Sequence, residues 1–575
     1  MISRWWVRCA CLWAAVWIAV FPNTSGALDY AEISWGFDGR VVPDQFNLLT
    51  VVVRNLDKNP FDGVVTLERT QGIGKIGGTE VKECYLEPGN SRILQFYPRV
   101  TGLSQWQLRD GVDHAEIDPP TEGLPAIVRL VDSEDPLRLS KALKAFPHQY
   151  FPTSVCGTTG LFAAVTDYSP AFAPAQKVAF VEWLLAGGRL HVFLSPDDQF
   201  PDFDDPRLEM TGPQLAVGKS FKQKIGNGTV TWHRRTIANL TTAEASALEP
   251  TRLPLDESNY YGSIDTKIFH DLQDLTRLDI AWPVVYLSAI TYIILLGPGH
   301  YLWMRRRPRD YRMVLVVLGA TIALFAALFA YIGRRGYGEK TQASTVSLAR
   351  HIDGTRYDVT SWGNVFVTKG DDYKLLHSSM HNFYSTGETY ESVGATFTNG
   401  RDGRMETEIP VFSSRTFVHS GVLDGMPRPE LLSDTGVGLS RSIEWRTIPG
   451  ISIANAWVRI RNSVYEADSI FAEGKIKLTN ARLYHPVESD YSSYPVPDRT
   501  EDAEQLLGSG RHLFHRMLAM MEYEKPKWVP FLGDDAIELY LLTSMPESFR
   551  LTGDQISTQQ GVTLFRFTYP AQNQP

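Results

Sequence analysis

The thiol groups are the side chains of this 575-residue chain that are best suited to covalent chemistry. A thiol nucleophile must be accessible, close to a general base and close to donors that stabilise an oxyanion. Cys156 lies in the stretch TSVCGTTG, and a predicted strand begins four residues after Gly157, which leaves no room for a helix behind the thiol. The tripeptide at 114–116, HAE, which could supply a base, precedes Cys156 instead of following it. We therefore expect no catalytic role for Cys156.

Four polar side chains follow predicted strands, and open α/β sheets bind their ligands outside the carboxyl ends of strands. They are Asp132, Asp167, Ser195 and Asp197. Taken singly, each of them is better explained as a turn or cap residue. We therefore predict a weak ligand-binding edge at these positions and no catalytic residue.

His512 and His515 are spaced i, i+3 on a helix predicted from Glu504 to Met521, and metal sites use this spacing. Without a third histidine or a carboxylate in an evident pattern, we expect both imidazoles on a solvated surface. The apolar stripe of the same helix predicts packing against a core. The sequence predicts no metal site and no cofactor.

Strands and helices alternate between residues 123 and 245, and these elements would position the polar edge. The stretches AIVRLV, LFAAVTD and RLHVFLS are apolar enough to be buried strands. DPLRLSKALKAF and APAQKVAFVEWLLAGG have helical periodicity, and Gly187 and Gly188 end the second helix. Alternation of this kind predicts a parallel sheet covered by helices.

Two further regions have the pattern of antiparallel β-structure. Residues 28–122 contain short strands separated by turn residues, which predicts an immunoglobulin-like β-sandwich. Residues 335–575 are predicted to form a mostly-β domain with one helix, and residues 246–278 a polar connector. The predicted fold class is therefore a multi-domain membrane protein with a sandwich, an α/β domain, a membrane hairpin and a C-terminal β-rich domain.

A two-helix transmembrane hairpin is predicted over residues 279–334. The runs Ile280–Trp303 and Met313–Ile332 contain no Asp, Glu, Lys or Arg. Each is long enough as a helix to cross a hydrocarbon core of about 30 Å. Pro298 lacks an N–H group, so the first helix should kink or end there. The short loop between the runs is rich in arginine, and such loops stay in the cytoplasm. Its arginines are Arg305, Arg306, Arg307, Arg309 and Arg312.

The two hairpin helices are predicted to pack closely against each other. Gly319, Ala323 and Ala327 repeat at four-residue spacing. Small side chains let the backbones of two helices approach each other in lipid. Ser288 and Ala289 on the first helix are the expected partners of this face.

Residues 1–27 have the features of a secretory signal peptide. Arg4 and Arg8 precede an apolar run, and SGA at 25–27 supplies small residues for cleavage; an uncleaved anchor helix is the alternative. Together with the arginine loop, this predicts a multi-pass protein of the cell inner (cytoplasmic) membrane. Both large regions would then be extracytoplasmic, in the periplasm. The expected partners are the lipid bilayer and an envelope or membrane protein.

The charge of the chain argues against nucleic acid as a partner. The formal net charge is −9, and removal of Arg4 and Arg8 would change it to −11. An acidic chain without a long basic stripe lacks the electrostatic footprint of a nucleic-acid-binding protein. Cys84 and Cys156 remain after residue 27, and the sequence leaves open whether they pair.

Three stretches of this chain resemble, in their order, a group of uncharacterised bacterial membrane proteins. These proteins have a class I glutamine amidotransferase-like extracytoplasmic domain and a two-helix membrane hairpin. The stretches are TDYSPAFAPAQKVAFVEWLLAGGRLHVFLS, IGNGTVTW and YIILLGPGHYLWMRRRPRDYR. The resemblance implies a flavodoxin-like fold over residues 123–245. True amidotransferases need a cysteine at a strand-to-helix elbow and a later His-x-Glu dyad. Cys156 does not fit this pattern, so the resemblance implies a degenerate domain.

The leading hypothesis is a non-enzymatic, membrane-anchored envelope protein that binds a protein or glycan partner through its extracytoplasmic domains. One alternative is an accessory subunit of an ABC-type transport system, because similar degenerate sheets occur in auxiliary proteins of gliding-type export systems. A second alternative is a residual hydrolase or amidotransferase. Co-purification after mild detergent extraction would separate the first two hypotheses.

Overall fold

A computed structural model of the chain describes residues 28–569 with internal gaps. The longer gaps are 133–142, 206–214, 249–264, 274–281, 436–441, 448–452 and 485–536. Several sequence predictions fall outside the described residues. These are the signal peptide, most of the helix that begins at Asp135, the helix with His512 and His515, and the loop residues Arg307 and Arg309.

The N-terminal region consists mainly of strands that form a sandwich. They are β1 (Leu28–Trp35), β2 (Arg40–Val41), β3 (Gln45–Phe46), β4 (Leu49–Asn55), β5 (Phe61–Gln71), β6 (Gly74–Leu86), β7 (Ser91–Phe96), β8 (Arg99–Val100), β9 (Gln105–Arg109), β10 (His114–Ile117) and β11 (Thr121–Glu122). One antiparallel sheet has the order β1-β4-β7, and a second begins β10-β9-β5-β6. Val51 and Phe96 from the first sheet and Leu67 from the second are buried in one core. Alternating apolar residues on both sheets therefore face each other, as the sequence pattern predicts.

A six-stranded sheet and two helices follow. The strands are β12 (Ala126–Val131), β13 (Lys144–Pro147), β14 (Leu161–Thr166), β15 (Arg189–Leu194), β16 (Ser220–Ile225) and β17 (Gly228–Thr236), and the helices are α1 (Pro174–Ala186) and α2 (Thr242–Ser246). The strand order is β13-β12-β14-β15-β17-β16, with every neighbouring pair parallel except β16 and β17. Gly187 ends α1 with φ of 135°, a conformation that glycine adopts more readily than other residues. The predicted strands therefore pair in parallel, but Lys144 to Phe146, at the end of the stretch predicted as the first helix, belong to strand β13 instead.

Within the part of the chain that the structure describes, two helices are long and apolar enough to cross a membrane. The first runs through α3 (Trp282–Ile294), a π-helical turn (Leu295–Gly299) and α4 (His300–Arg306), and the second is α5 (Tyr311–Tyr337). Pro298 lies inside the π turn. A π turn accommodates a residue that cannot donate to the helical ladder. The first helix therefore continues past Pro298 instead of ending there.

The two hairpin helices contact each other through aromatic side chains. The ring centroids of Tyr292 and Phe325 are 5.0 Å apart, and Phe325 is 6% exposed. Gly319, Ala323 and Ala327 are exposed, so the predicted packing face is wrong. The physical reason is that Ala323 lies about 200° around the helix from Phe325, at 100° per residue, so packing of Phe325 on Tyr292 leaves Ala323 on the opposite side.

The C-terminal region is built around a twelve-stranded sheet. The strands of this region are β18 (Thr341–Asp353), β19 (Arg356–Val367), β20 (Asp371–Leu375), β21 (His381–Thr386), β22 (Ser392–Thr398), β23 (Gly400–Arg401), β24 (Arg404–Ile409), β25 (Ser413–Asp424), β26 (Glu430–Thr435), β27 (Ser442–Arg446), β28 (Ile453–Ile460), β29 (Ser463–Ile470), β30 (Lys475–Tyr484), β31 (Ile537–Ser544) and β32 (Thr558–Tyr569). The order of the large sheet is β23-β21-β25-β19-β18-β32-β31-β28-β29-β30-β27-β26. The described residues thus form a β-rich protein, as predicted.

One sheet joins the regions that precede and follow the hairpin. Strand β22 pairs in parallel with β6, so that Thr396 lies beside Thr79 and Phe397 beside Glu80. The second sandwich sheet therefore continues as β10-β9-β5-β6-β22-β24-β20. The sequence predictions treat the sandwich and the C-terminal domain as separate units, and this shared sheet makes them structurally continuous.

The segment predicted as a polar connector also enters the common core. The described helical residues between 265 and 273 include Ile268, which is fully buried, and Leu272, which is 1% exposed. Asp265 accepts hydrogen bonds from Arg99 of β8 and, at 3.1 Å, from the indole N–H of Trp362 in β19. This carboxylate therefore links the N-terminal and C-terminal regions.

Candidate functional site

Cys156 lies in a short 3-10 turn, residues Val155–Thr158, inside the core shared by the α/β sheet and the C-terminal sheet. Its side chain is fully buried, and burial raises the pKa of the thiol to about 12. Ser154 and Ser420 hydrogen-bond the thiol without reversing this shift. His114 and Glu116 lie on β10 of the sandwich. Cys156 and Cys84 are both unpaired in the structure, so they form no disulfide.

The predicted polar edge contains one buried ion pair. Asp167 follows β14 and contacts Arg129 of β12, with 3.1 Å between Oδ2 and Nη2. The other oxygen of Asp167 is buried without a hydrogen-bond partner among the described residues. Asp132 and Asp197 are exposed, and the carbonyl of Ser195 accepts the N–H of Asp198 in a turn.

A hydroxyl–imidazole–imidazole chain crosses the same sheet. The hydroxyl of Ser220 lies 2.9 Å from Nδ1 of His233, and Nε2 of His233 lies 3.1 Å from Nδ1 of His191. Burial lowers the pKa of His233 to about 4 and that of His191 to about 3. An efficient general base has a pKa near the working pH. Neutral imidazoles with such low pKa values fit a structural hydrogen-bond chain better than a catalytic one.

A cleft of about 80 Å³ lies between α1 and the twelve-stranded sheet. Trp183 and Gly188 line it from the α/β side, and Arg350, Asp358 and Arg566 line it from the sheet. The cleft therefore forms only where the two parts of the chain meet. Its walls combine apolar side chains with hydrogen-bond donors and acceptors.

The charged residues of this cleft come from neighbouring strands in register. Arg350 of β18 lies beside Asp358 of β19 on one side and Arg566 of β32 on the other. The Nη2 atom of Arg350 lies 2.9 Å from Oδ2 of Asp358, while Arg566 pairs with Glu538. Oδ1 of Asp358 is buried without a hydrogen-bond partner among the described residues. This oxygen can accept a hydrogen bond from a ligand hydroxyl or ammonium group.

Sequence reasoning missed the cleft and the histidine chain. One local signal was available, because the two-residue turn Gly354-Thr355 joins β18 to β19 as a hairpin, and the register of that hairpin places Arg350 opposite Asp358. The contribution of Arg566 comes from a strand more than two hundred residues further along the chain and leaves no local signal. Within the part of the chain that the structure describes, no group of three or more His, Cys, Asp or Glu side chains could hold a metal ion.

No protein-family model and no curated protein matches this sequence. Among solved structures, a cycloisomaltooligosaccharide glucanotransferase from Paenibacillus sp., complexed with cycloisomaltoheptaose, is similar to the chain at 8% identity. The likeness covers 79% of this chain and 98% of that chain, with a TM-score of 0.16. At that score it carries no argument about fold or function.

Proposed function

We propose that this protein is a non-enzymatic, membrane-anchored binding protein of the cell envelope. Its regions before and after the hairpin would form one extracytoplasmic body that holds a protein or glycan partner. The observation that carries the proposal is the parallel pairing of β6 with β22. Strands on opposite sides of a bilayer cannot hydrogen-bond to each other, so this pairing supports a common side for both regions.

The arginine loop supports the cytoplasmic side for the opposite end of the hairpin. Arg305 and Arg306 end α4, and Arg312 lies in the first turn of α5, so the described arginines cluster at the facing ends of the two helices. Short loops with this charge are retained in the cytoplasm. The shared sheet would then lie in the periplasm, anchored to the inner membrane by two helices.

We propose that the protein catalyses no reaction because the burial and the pKa values of its candidate catalytic groups do not suit catalysis. The thiol of Cys156 is buried and has a raised pKa, and the imidazole beside Ser220 has a lowered one. A degenerate amidotransferase-like fold over residues 123–245 is compatible with the parallel strand order and with α1 following β14. Such a domain would contribute a surface to binding instead of a catalytic centre.

The cleft beside Asp358 is the surface on which we place the partner. The experiment is to purify the full-length protein from membranes in mild detergent and to identify bound proteins and saccharides by mass spectrometry. Asp358→Asn removes a carboxylate that lines the cleft, and Asp402→Asn is its control at an exposed turn. Loss of the partner in the first variant alone is expected.

Three outcomes would contradict the proposal. Retention of the partner by Asp358→Asn would move the binding surface elsewhere. An ATPase-bearing partner would favour the role of a transport accessory subunit. Hydrolysis of glutamine or another amide that depends on Cys156 would restore the enzymatic alternative.

A further inference from the structure

We propose that the turn at residues 410–413 inserts into the lipid headgroup region of the membrane that the hairpin spans. Val411 and Phe412 would be the inserted side chains, and the occupant of this surface is the bilayer itself. The inference rests on the membrane anchorage in the proposed function. It adds a second contact that fixes how the extracytoplasmic body stands on the membrane.

The strand register places this turn beside the point where the chain leaves the hairpin. Thr341 begins β18 a few residues after α5 ends at Tyr337. Thr341 pairs with Val367 of β19, and Val367 pairs with Ser413 of β25. Two strand spacings amount to about 10 Å, so the turn and the hairpin exit share one end of the sheet.

The chain segment that leads into the hairpin passes the same end. A Cβ atom built on Gly387 would lie 2.7 Å from the ring of Phe269 and 2.3 Å from Oγ1 of Thr416. Thr416 lies three residues after Ser413, the first residue of β25, and is therefore close to the turn. Phe269 precedes the first membrane helix. Phe269 before the hairpin and Thr341 after it both lie at this end of the sheet, so we assign this end to the side that faces the bilayer.

The side chains on the turn are apolar and accessible. Val411 is 58% exposed and Phe412 is 54% exposed. The N–H of Ser413 donates to the carbonyl of Pro410 at 3.2 Å, which closes a four-residue turn. Phe412 has φ of 55°, and the third position of a turn with this conformation favours glycine or asparagine. An exposed phenylalanine in a conformation unfavourable for its side chain indicates a function for the ring.

The neighbouring turn supplies a charge that suits headgroups. Lys369 lies between β19 and β20, and its side chain is 68% exposed. A Cβ on Gly370 would lie 2.9 Å from the backbone nitrogen of Val411, so the two turns are in contact. The ammonium of Lys369 forms an ion pair of 3.9 Å with Asp371, and because both side chains are exposed it can also reach lipid phosphate. Apolar side chains beside a cation are typical of segments that enter a membrane interface by about 5–10 Å.

The test uses full-length protein in nanodiscs that contain nitroxide-labelled lipid. Cys84 and Cys156 are buried, so a fluorophore can be attached to a single introduced cysteine once Cys9 and Cys11 are replaced by serine. In Val411→Cys the fluorophore should lose most of its emission to the nitroxide. Thr355→Cys, at an exposed turn, is the matched control. It lies at the other end of β18, about 40 Å away at roughly 3.3 Å per residue, and should keep its emission.

A second variant separates insertion from folding. Phe412→Asn suits the positive φ, so the Val411→Cys protein that carries it should keep or raise its melting temperature in detergent and lose most of its quenching. Equal quenching at 411 and 355, or unchanged quenching after Phe412→Asn, would overturn the inference. A fluorophore at Leu324→Cys on α5 must be quenched in every case. Its failure would refute the anchorage itself and with it the proposed function.

Discussion

Phe397 of β22 lies beside Glu80 of β6, although the two-helix hairpin separates the two residues in sequence. Both oxygens of Glu80 accept the backbone N–H of Tyr97, at 3.0 and 3.1 Å, and Lys82 lies 3.9 Å away. Lys82 in turn donates to the carbonyl of Asn399. A buried carboxylate therefore stands at the seam between the two regions.

Titration of Glu80 should make the seam sensitive to pH. Burial raises the pKa of Glu80 to about 7 in the folded protein, whereas an unfolded chain has a value near 4.5. The folded state then binds more protons between these values, so this contribution to stability is complete below the lower value and is lost as the pH rises through about 7. Glu80→Gln should therefore gain stability relative to the parent as the pH rises from 5 to 8, by up to about 3 kcal/mol. Thermal unfolding in detergent at several pH values measures this difference in stability, and Glu83→Gln, at an exposed position, is the control. If the stabilities of Glu80→Gln and the parent changed with pH in parallel, the prediction would be contradicted.

Two stacked histidines should destabilise the C-terminal sheet in acid. The ring centroids of His377 and His419 are 3.7 Å apart, and burial lowers the pKa of His377 to about 3 and of His419 well below its usual value. The unfolded state binds more protons below about pH 6.5, so stability is complete above that pH and falls as the pH drops towards 4. His377→Phe removes one titrating ring and the hydrogen bond to Tyr384. This substitution should lower the free energy of unfolding by about 1–2 kcal/mol at pH 7.5. The free energy of unfolding of the variant should then fall less steeply towards acid pH than that of the parent protein.

Urea denaturation at four pH values between 7.5 and 4.5 checks the histidine prediction. His114→Gln, on an exposed strand, is the control and should follow the parent protein. If the free energy of unfolding of His377→Phe fell as steeply with decreasing pH as that of the parent, this imidazole would not be the group that titrates.

Cys156 should behave as a small apolar residue. The buried thiol with its raised pKa should react with a thiol reagent only after denaturation. Cys156→Ala should lower the free energy of unfolding by about 1 kcal/mol and leave partner binding unchanged. Reagent titration of native and denatured protein, followed by the co-purification assay, checks both parts. Loss of cellular function at an undiminished protein level would mean that the thiol has a chemical role.

The hairpin should depend on Phe325 and tolerate change at Ala323. Phe325→Ala removes the ring that packs on Tyr292 and should weaken the helix pair by roughly 3 kcal/mol, near the lower end for a buried phenylalanine. Ala323→Leu adds bulk on a side chain that is already exposed and should change little. Protease resistance in membranes and steady-state protein level measure the effect. The reverse ranking would restore the small-residue face, and loss of an oligomer in Ala323→Leu alone would assign that face to a second copy.

Topology can be measured directly with introduced cysteines. Arg306→Cys, at the end of α4, should remain unlabelled by an impermeant thiol reagent when the cytoplasmic membrane is intact and only the periplasm is open. Thr355→Cys should be labelled under the same conditions, and both should be labelled after lysis. Labelling of position 306 but not of position 355 before lysis would invert the orientation.

The sequence predicts those parts of the fold that have a local period. Alternating strands in 28–122, the helix at α1 and the apolar runs of the hairpin all follow from patterns within a dozen residues. The pairing of β6 with β22 does not, because neither strand contains a signal for its distant partner. The connector was likewise assigned from overall polarity, whereas Ile268 and Leu272 carry its contact with the core.

The candidate site was predictable only in part. The sequence places Asp167 at a strand end, but its pairing with Arg129 depends on the order of strands in the sheet. The cleft needs Arg350, Asp358 and Arg566 from three strands and Trp183 from α1. Local rules also chose the wrong helix face, because small residues permit close packing but do not require it when an aromatic pair is available.

Strand β6 cannot complete its sheet until β22 has been synthesised, so the pairing of these strands is delayed during synthesis of the chain. Residue 77 leaves the ribosome more than three hundred residues before its partner at 392, so at 5–20 residues per second its edge stays open for roughly 15–60 s. During that interval the long β6 strand presents unpaired backbone groups, and other exposed strands can add to it. The protein therefore has a window in which a chaperone must shield this edge. A chain released before residue 392 would remain open to aggregation.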